Sequence, residues 1–129
     1  MLPKGWAPHL LSLLRIVAAL SFMTHGTQKL FAWPVLEPRN TVDLMSRAGV
    51  AGVLEVFGGL LMLVGLFSRP VAFVLSGEMA FAYFLSHAPR AFFPVLNGGE
   101  PALLFCFIWL YIAAAGPGPW SVDAVRKRT

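Results

Sequence analysis

Three side chains able to exchange protons or hold a charged group, His25, Gln28 and Lys29, fall within the run His25-Gly-Thr-Gln28-Lys29-Leu-Phe31, inside an otherwise apolar stretch. Their i, i+3 and i+4 spacing puts them on one face of a helix. In a hydrocarbon interior each charge costs at least about 2.5–3.5 kcal/mol, so such groups turn toward partners within the protein. The remainder of the chain offers Glu55, Glu78, His87, Arg90, Asn97 and Glu100. A histidine beside carboxylates in a low-dielectric site can relay protons, and lysine or arginine can attract an anion. The same set also fits a self-satisfied polar network that fixes helix register without chemistry.

Other chemistries find less support. Carboxylate-bridged di-iron bundles use Glu-x-x-His pairs, whereas Gly58, Phe81 and Leu103 stand three residues after Glu55, Glu78 and Glu100. A mononuclear site from His25, His87 and one glutamate is the remaining metal alternative, and no metal is assigned. Haem is disfavoured because the two histidines fall at different depths. There is no glycine-rich phosphate loop or nucleotide fingerprint. Cys106 is the single cysteine, which excludes dithiol–disulfide exchange within one chain. In the run Leu103-Leu-Phe-Cys106-Phe-Ile-Trp109 it reads as a small buried hydrophobe.

The elements that must position the polar residues are membrane helices. Of the 129 residues, 57% are hydrophobic and 12% charged, and the mean hydropathy of +0.71 lies outside the soluble range. One domain, 1–129, is expected, with helices over about 8–32, 47–67, 70–87 and 100–115 and a basic C-terminal tail over 116–129. The fold class is therefore all-α, an integral membrane four-helix bundle. Trp6 and Trp33-Pro34 bracket the first helix. Ser68-Arg69-Pro70 forms a hairpin in which Ser68 caps the third helix, and Asn97 is the candidate cap of the fourth. Gly116-Pro-Gly-Pro119-Trp120 ends the fourth helix, and Asn40-Thr-Val-Asp43 is expected to begin a short interfacial helix. Lys4 before an apolar run resembles a signal peptide, but Arg15 interrupts that run, so the segment is expected to be retained as the first helix.

An even number of spans puts both termini on one side, with Lys4, Arg69, Arg126, Lys127 and Arg128. The opposite loops hold Arg39, Arg47 and Arg90, offset by Glu37 and Asp43. The positive-inside rule then places both termini in the cytoplasm, and the net charge of +4 is a topology signal rather than a nucleic-acid footprint. With this orientation the ionisable residues collect in the outer half of the bundle. Arg15 is the exception, in the inner half, where it is expected to snorkel or find a carboxylate. Gly49, Gly52, Gly58, Gly59 and Gly65 on the second helix predict close helix packing.

Several motifs in order carry a family resemblance. These are His25-Gly-x-Gln28-Lys29-Leu-Phe31, Gly52-x-x-Glu55-x-x-Gly58-Gly59, Gly65-Leu-Phe-x-Arg69-Pro70, Gly77-Glu78-Met79, and His87-Ala-Pro-Arg90-x-Phe92-Phe93-Pro94-x-x-Asn97-Gly98-Gly99-Glu100. Together they resemble the DoxX family, over about Leu10 to Val122. The resemblance implies a small four-helix protein of the bacterial inner (cytoplasmic) membrane, associated with redox chemistry. Relatives include the membrane subunit of a thiosulfate:quinone oxidoreductase and a member of an oxidative-stress complex with a superoxide dismutase and a sulfurtransferase. Joined to the residues, it predicts a redox-associated membrane subunit that binds a small polar or quinone-like molecule in the outer-half cluster. His25 and Glu55 would be the catalytic, proton-exchanging groups. Lys29 and Arg90 would attract an anion such as an oxosulfur species or a semiquinone, and Gln28, Glu78, His87, Asn97 and Glu100 would complete the ligand site. Quinone is the cofactor class considered, and the expected partners are the lipid bilayer, proteins of a redox complex and a second copy of the chain, with no nucleic acid. The alternative is a non-catalytic scaffold or assembly factor whose polar network is structural. A permease is a third reading, weakened by the lack of half-helices or an inverted repeat.

Overall fold

Long apolar runs broken by glycine, proline and short polar turns fold into helices, and no strand occurs among the described residues. The computed structural model describes residues 1–35, 37 and 40–127. Arg39 and Arg128, two of the basic residues in the charge comparison above, lie outside them. A 3-10 turn at Lys4–Trp6 leads into α1, Ala7–Phe31. Then follow α2, Arg47–Val64, and α3, Ser68–Ala82, which continues as a π-helical turn over Tyr83–His87. A short α4, Pro94–Asn97, precedes α5, Glu100–Ala115, and α6, Val122–Arg126, closes the chain.

The boundaries depart from the sequence reading for local reasons. α2 stops at Val64 because Gly65 takes a left-handed conformation, φ 73°, that glycine adopts without penalty. α3 begins two residues earlier than expected, at Ser68, and the Ser68 side chain does not cap it. Asp123 does so from afar, its two carboxylate oxygens accepting the Phe67 and Ser68 amides at 2.9 and 2.8 Å. Asn40–Asp43 forms no helix. The Asp43 side chain accepts the Met45 amide at 3.0 Å in a turn, and Ser46 caps α2 by accepting from Gly49 at 3.0 Å. Asn97 ends α4 instead of capping α5, and its side chain accepts the Gly99 amide at 2.7 Å.

α1 packs along α2, α3 along α5, and the α2–α3 turn joins the two pairs. A methyl group on Gly26 would lie 2.7 Å from the Gly52 carbonyl oxygen, so the α1–α2 approach requires glycine there. Phe22, Met62, Leu75, Met79, Trp109 and Ile112 fill the core with small residues between them, and Phe22 meets Trp109 edge-on at 5.4 Å. The outward faces are apolar as well, with Leu13, Val17, Phe57, Phe73, Phe81 and Phe107 among the exposed side chains.

The end of the bundle that holds both termini is tied by polar bonds. Arg15 is fully buried and donates to the Pro117 carbonyl, to Trp120 O at 2.6 Å and to Leu63 O at 3.5 Å. It does not snorkel: the carbonyls of the returning C-terminal segment surround it, and the Asp123 carboxylate lies within electrostatic reach without a salt bridge to it among the described residues. Ser12 accepts the Trp120 amide at 3.1 Å, and the Asp123 amide donates to Gly65 O at 2.9 Å. These bonds bring the C-terminal segment against α1 and against the α2–α3 turn.

Candidate functional site

Lys29 and Glu55 form the centre of the polar cluster. Lys29 lies in the last turn of α1 and Glu55 midway along α2, and the close approach at Gly26 and Gly52 draws the two helices together beside them. Lys29 Nζ donates to Glu55 Oε1 at 2.6 Å, with the Glu55 side chain 3% exposed and that of Lys29 32%. The Val42 amide donates to Lys29 O at 3.0 Å, tying the segment before α2 to the end of α1.

Glu78, on α3, completes the centre. It lies within electrostatic reach of Glu55 and Lys29. Both Glu78 carboxyl oxygens and Glu55 Oε2 are buried without a hydrogen-bond partner among the described residues. Buried polar atoms are nearly always paired, so three orphaned oxygens in one place are unusual. His25 flanks the group, within electrostatic reach of Lys29 and edge-on to Phe105 at 5.9 Å.

The other expected site residues are arranged differently. His87 Nδ1 and Asn97 O are 3.1 Å apart, and the buried Asn97 side chain donates to Ala91 O at 3.0 Å and to Tyr83 Oη at 3.3 Å. This second group is held by the π-helical turn, which carries Tyr83 and His87 at its two ends. Such turns are frequent at functional sites. Gln28 donates to Pro34 O at 3.4 Å, in the chain leaving α1. Arg90 and Glu100 are exposed at the same end of the bundle. The nine residues thus divide into the Lys29, Glu55, Glu78 and His25 group, the His87–Asn97 group, and three outlying side chains. His25, His87 and a glutamate do not come together as a metal-binding triad among the described residues.

Tyr83 was not singled out from the sequence, where a tyrosine in an apolar run looks like core filling. The signal in the sequence is its spacing from His87, four residues on. Asp123, which the sequence does not single out, sits at the opposite end, where it and Arg69 bind helix ends. Arg69 donates to the Ala113 carbonyl at 3.3 Å and to that of Ala114, both in the last turn of α5.

The DoxX family model matches residues 10–88. A protein of Haemophilus influenzae is 42% identical over 124 residues, which cover 93% of this chain and 92% of the relative, and is described only as an uncharacterized protein. No solved structure matches.

Proposed function

Because the chain belongs to the DoxX family, we propose that it is a multi-pass protein of the bacterial inner membrane that binds a small polar or quinone-like molecule at the Lys29–Glu55–Glu78 cluster, as a subunit of a redox complex. Two helices are long and apolar enough to cross a membrane, and only 28% and 33% of their most apolar stretches are buried inside the molecule. A core helix of a water-soluble protein would be mostly buried, so hydrocarbon suits these faces better than water. α3 with its π-helical extension and the shorter apolar α5 would complete four passes with tilt or local thinning of the bilayer.

The observation that carries the site is the set of orphaned oxygens on Glu78 and Glu55. A molecule with hydrogen-bond donors, or a carbonyl that gains protons on reduction, would satisfy them, while the Lys29 ammonium offers charge to a reduced or anionic form. His25, at the rim, supplies the proton-exchanging group. The sequence carries no electron-transfer cofactor motif, so electrons would come from a partner protein or a diffusible quinone. The second reading, a structural network in a scaffold protein, is favoured by the short Lys29–Glu55 pair, which already locks α1 to α2.

The test is to purify the chain in mild detergent and identify any bound small molecule by mass spectrometry, alongside Glu78→Gln. Copurification of a quinone or another small molecule, reduced at least tenfold in Glu78→Gln with an unchanged melting temperature, supports the site. Unliganded wild-type protein whose Glu78→Gln variant only melts differently supports the scaffold.

A further inference from the structure

At the end of the bundle that carries both termini, Arg69, Arg126 and Lys127 line an open pocket of about 590 Å³, floored by the Gly116–Pro119 turn. Its volume falls in the range of small-molecule sites. The one carboxylate in the lining among the described residues, Asp123, turns both oxygens to the Phe67 and Ser68 amides. Arg69 uses one terminal nitrogen, Nη1, on the Ala113 and Ala114 carbonyls, and its Nη2 makes no hydrogen bond to the described residues. Gly116, φ 90°, keeps space next to it: a Cβ there would stand 3.3 Å from Nη2. Arg126 stacks its guanidinium over the Phe67 ring at 5.3 Å, and Lys127 is exposed at the rim. Among the described residues the Asp123 carboxylate also interacts with Arg126, so the electropositive character of the pocket comes from Arg69, whose Nη2 faces the space beside Gly116, and from Lys127.

We propose that this pocket binds the phosphate of an anionic phospholipid head group. Guanidinium groups match phosphate oxygens in geometry and charge, and basic pockets on the cytoplasmic side of helix bundles take such head groups. Depth points to lipid as the source. Trp6 and Trp120, exposed to 52% and 54%, stand at this same end, and tryptophan settles at the membrane–water interface. A soluble phosphate ester shares the chemistry, and the choice of lipid rests on the membrane reading above. If the chain proved to stay in the aqueous phase, that reading would fail while the phosphate site could still be tested with inorganic phosphate.

The detergent-solubilised full chain is titrated separately with short-chain phosphatidylglycerol, short-chain phosphatidylcholine and inorganic phosphate, and binding is followed by native mass spectrometry and by melting temperature. The expected result is saturable binding of phosphatidylglycerol with little response to phosphatidylcholine. Lys127→Gln, whose side chain sits at the exposed rim, should weaken that binding about fivefold, the factor for about 1 kcal/mol per basic residue. Arg69→Gln should weaken it further, and if loss of its α5 contacts unfolds the chain, Lys127→Gln alone carries the test. Saturation by inorganic phosphate at similar concentration, lost in Lys127→Gln, supports the site with a soluble phosphate as its ligand. Equal binding of the two lipids, no binding of any probe, or an undiminished response in Lys127→Gln overturns the proposal.

Discussion

Placing Lys29 against Glu55 withdraws two charges from water, and their attraction is largely offset by that desolvation. The asymmetry appears when one partner is removed. Lys29→Met leaves the buried Glu55 carboxylate unpaired beside Glu78. Breaking a fully buried pair costs about 3–5 kcal/mol, and because Lys29 is about a third exposed the expected loss is nearer ~1–3 kcal/mol. Lys29→Met/Glu55→Gln should recover much of it, a coupling measurable by a double-mutant cycle on thermal unfolding in detergent. Additive effects of the two single substitutions would show that the pair contributes nothing beyond its members. At this scale the sequence revealed that Lys29 needs an acid, because a cation in an apolar helix leaves few alternatives. It did not reveal the partners of Arg15. These are backbone carbonyls of Leu63, Pro117 and Trp120, which no residue type advertises.

Helix ends in this bundle are bound by residues distant in the chain, and this is where elements and sequence diverge most. The apolar runs located α1, α2, α3 and α5, but Ala32 and Phe67 take left-handed conformations, φ 52° and 50°, that no turn signature marks. The Asp123 cap of α3 lies more than fifty residues downstream of the amides it binds. Burial works to raise the Asp123 carboxyl, yet hydrogen bonds from Ser68 and Phe67 and the nearby Arg126 hold it below the usual carboxylate range. A carboxyl depressed in the folded state stabilises the fold above its unfolded value of about 3.9, and that contribution disappears as pH falls through the lower folded value. Asp123→Asn should therefore lower stability by about 1 kcal/mol near neutral pH, as loss of a capping group does. Its melting temperature should fall less steeply than the wild type's below about pH 4; parallel acid profiles would remove the cap from the account. The same end of the bundle depends on the Arg15 fork. Arg15→Lys, which cannot reach several carbonyls in one plane, should speed protease cleavage in the Gly116–Ser121 segment severalfold over wild type, and equal cleavage rates would show that the segment is held without it.

At the scale of the whole molecule, the charge distribution and the apolar exterior argue together. Lys4, Arg69, Arg126 and Lys127 sit at one end with Asp123, and Arg47 and Arg90 at the other with Glu37, Asp43 and Glu100. Between the ends the outward faces carry leucine, valine and phenylalanine. The positive-inside rule counts basic residues near helix ends and would place the richer end in the cytoplasm. The outcome decides what each site can meet. In that orientation the Lys29–Glu55–Glu78 group would lie in the periplasmic half of the bundle, and the Arg69 pocket among cytoplasmic head groups. In a Cys106→Ser background, Arg90→Cys should react with a membrane-impermeant maleimide on intact cells, and Lys127→Cys only after permeabilisation. The reverse pattern would invert the protein and put the carboxylate cluster on the cytoplasmic side, where its ligand and partners would have to be sought. Labelling of both only after permeabilisation, with the chain released by lysis without detergent, would mean that the apolar faces are covered by protein rather than lipid.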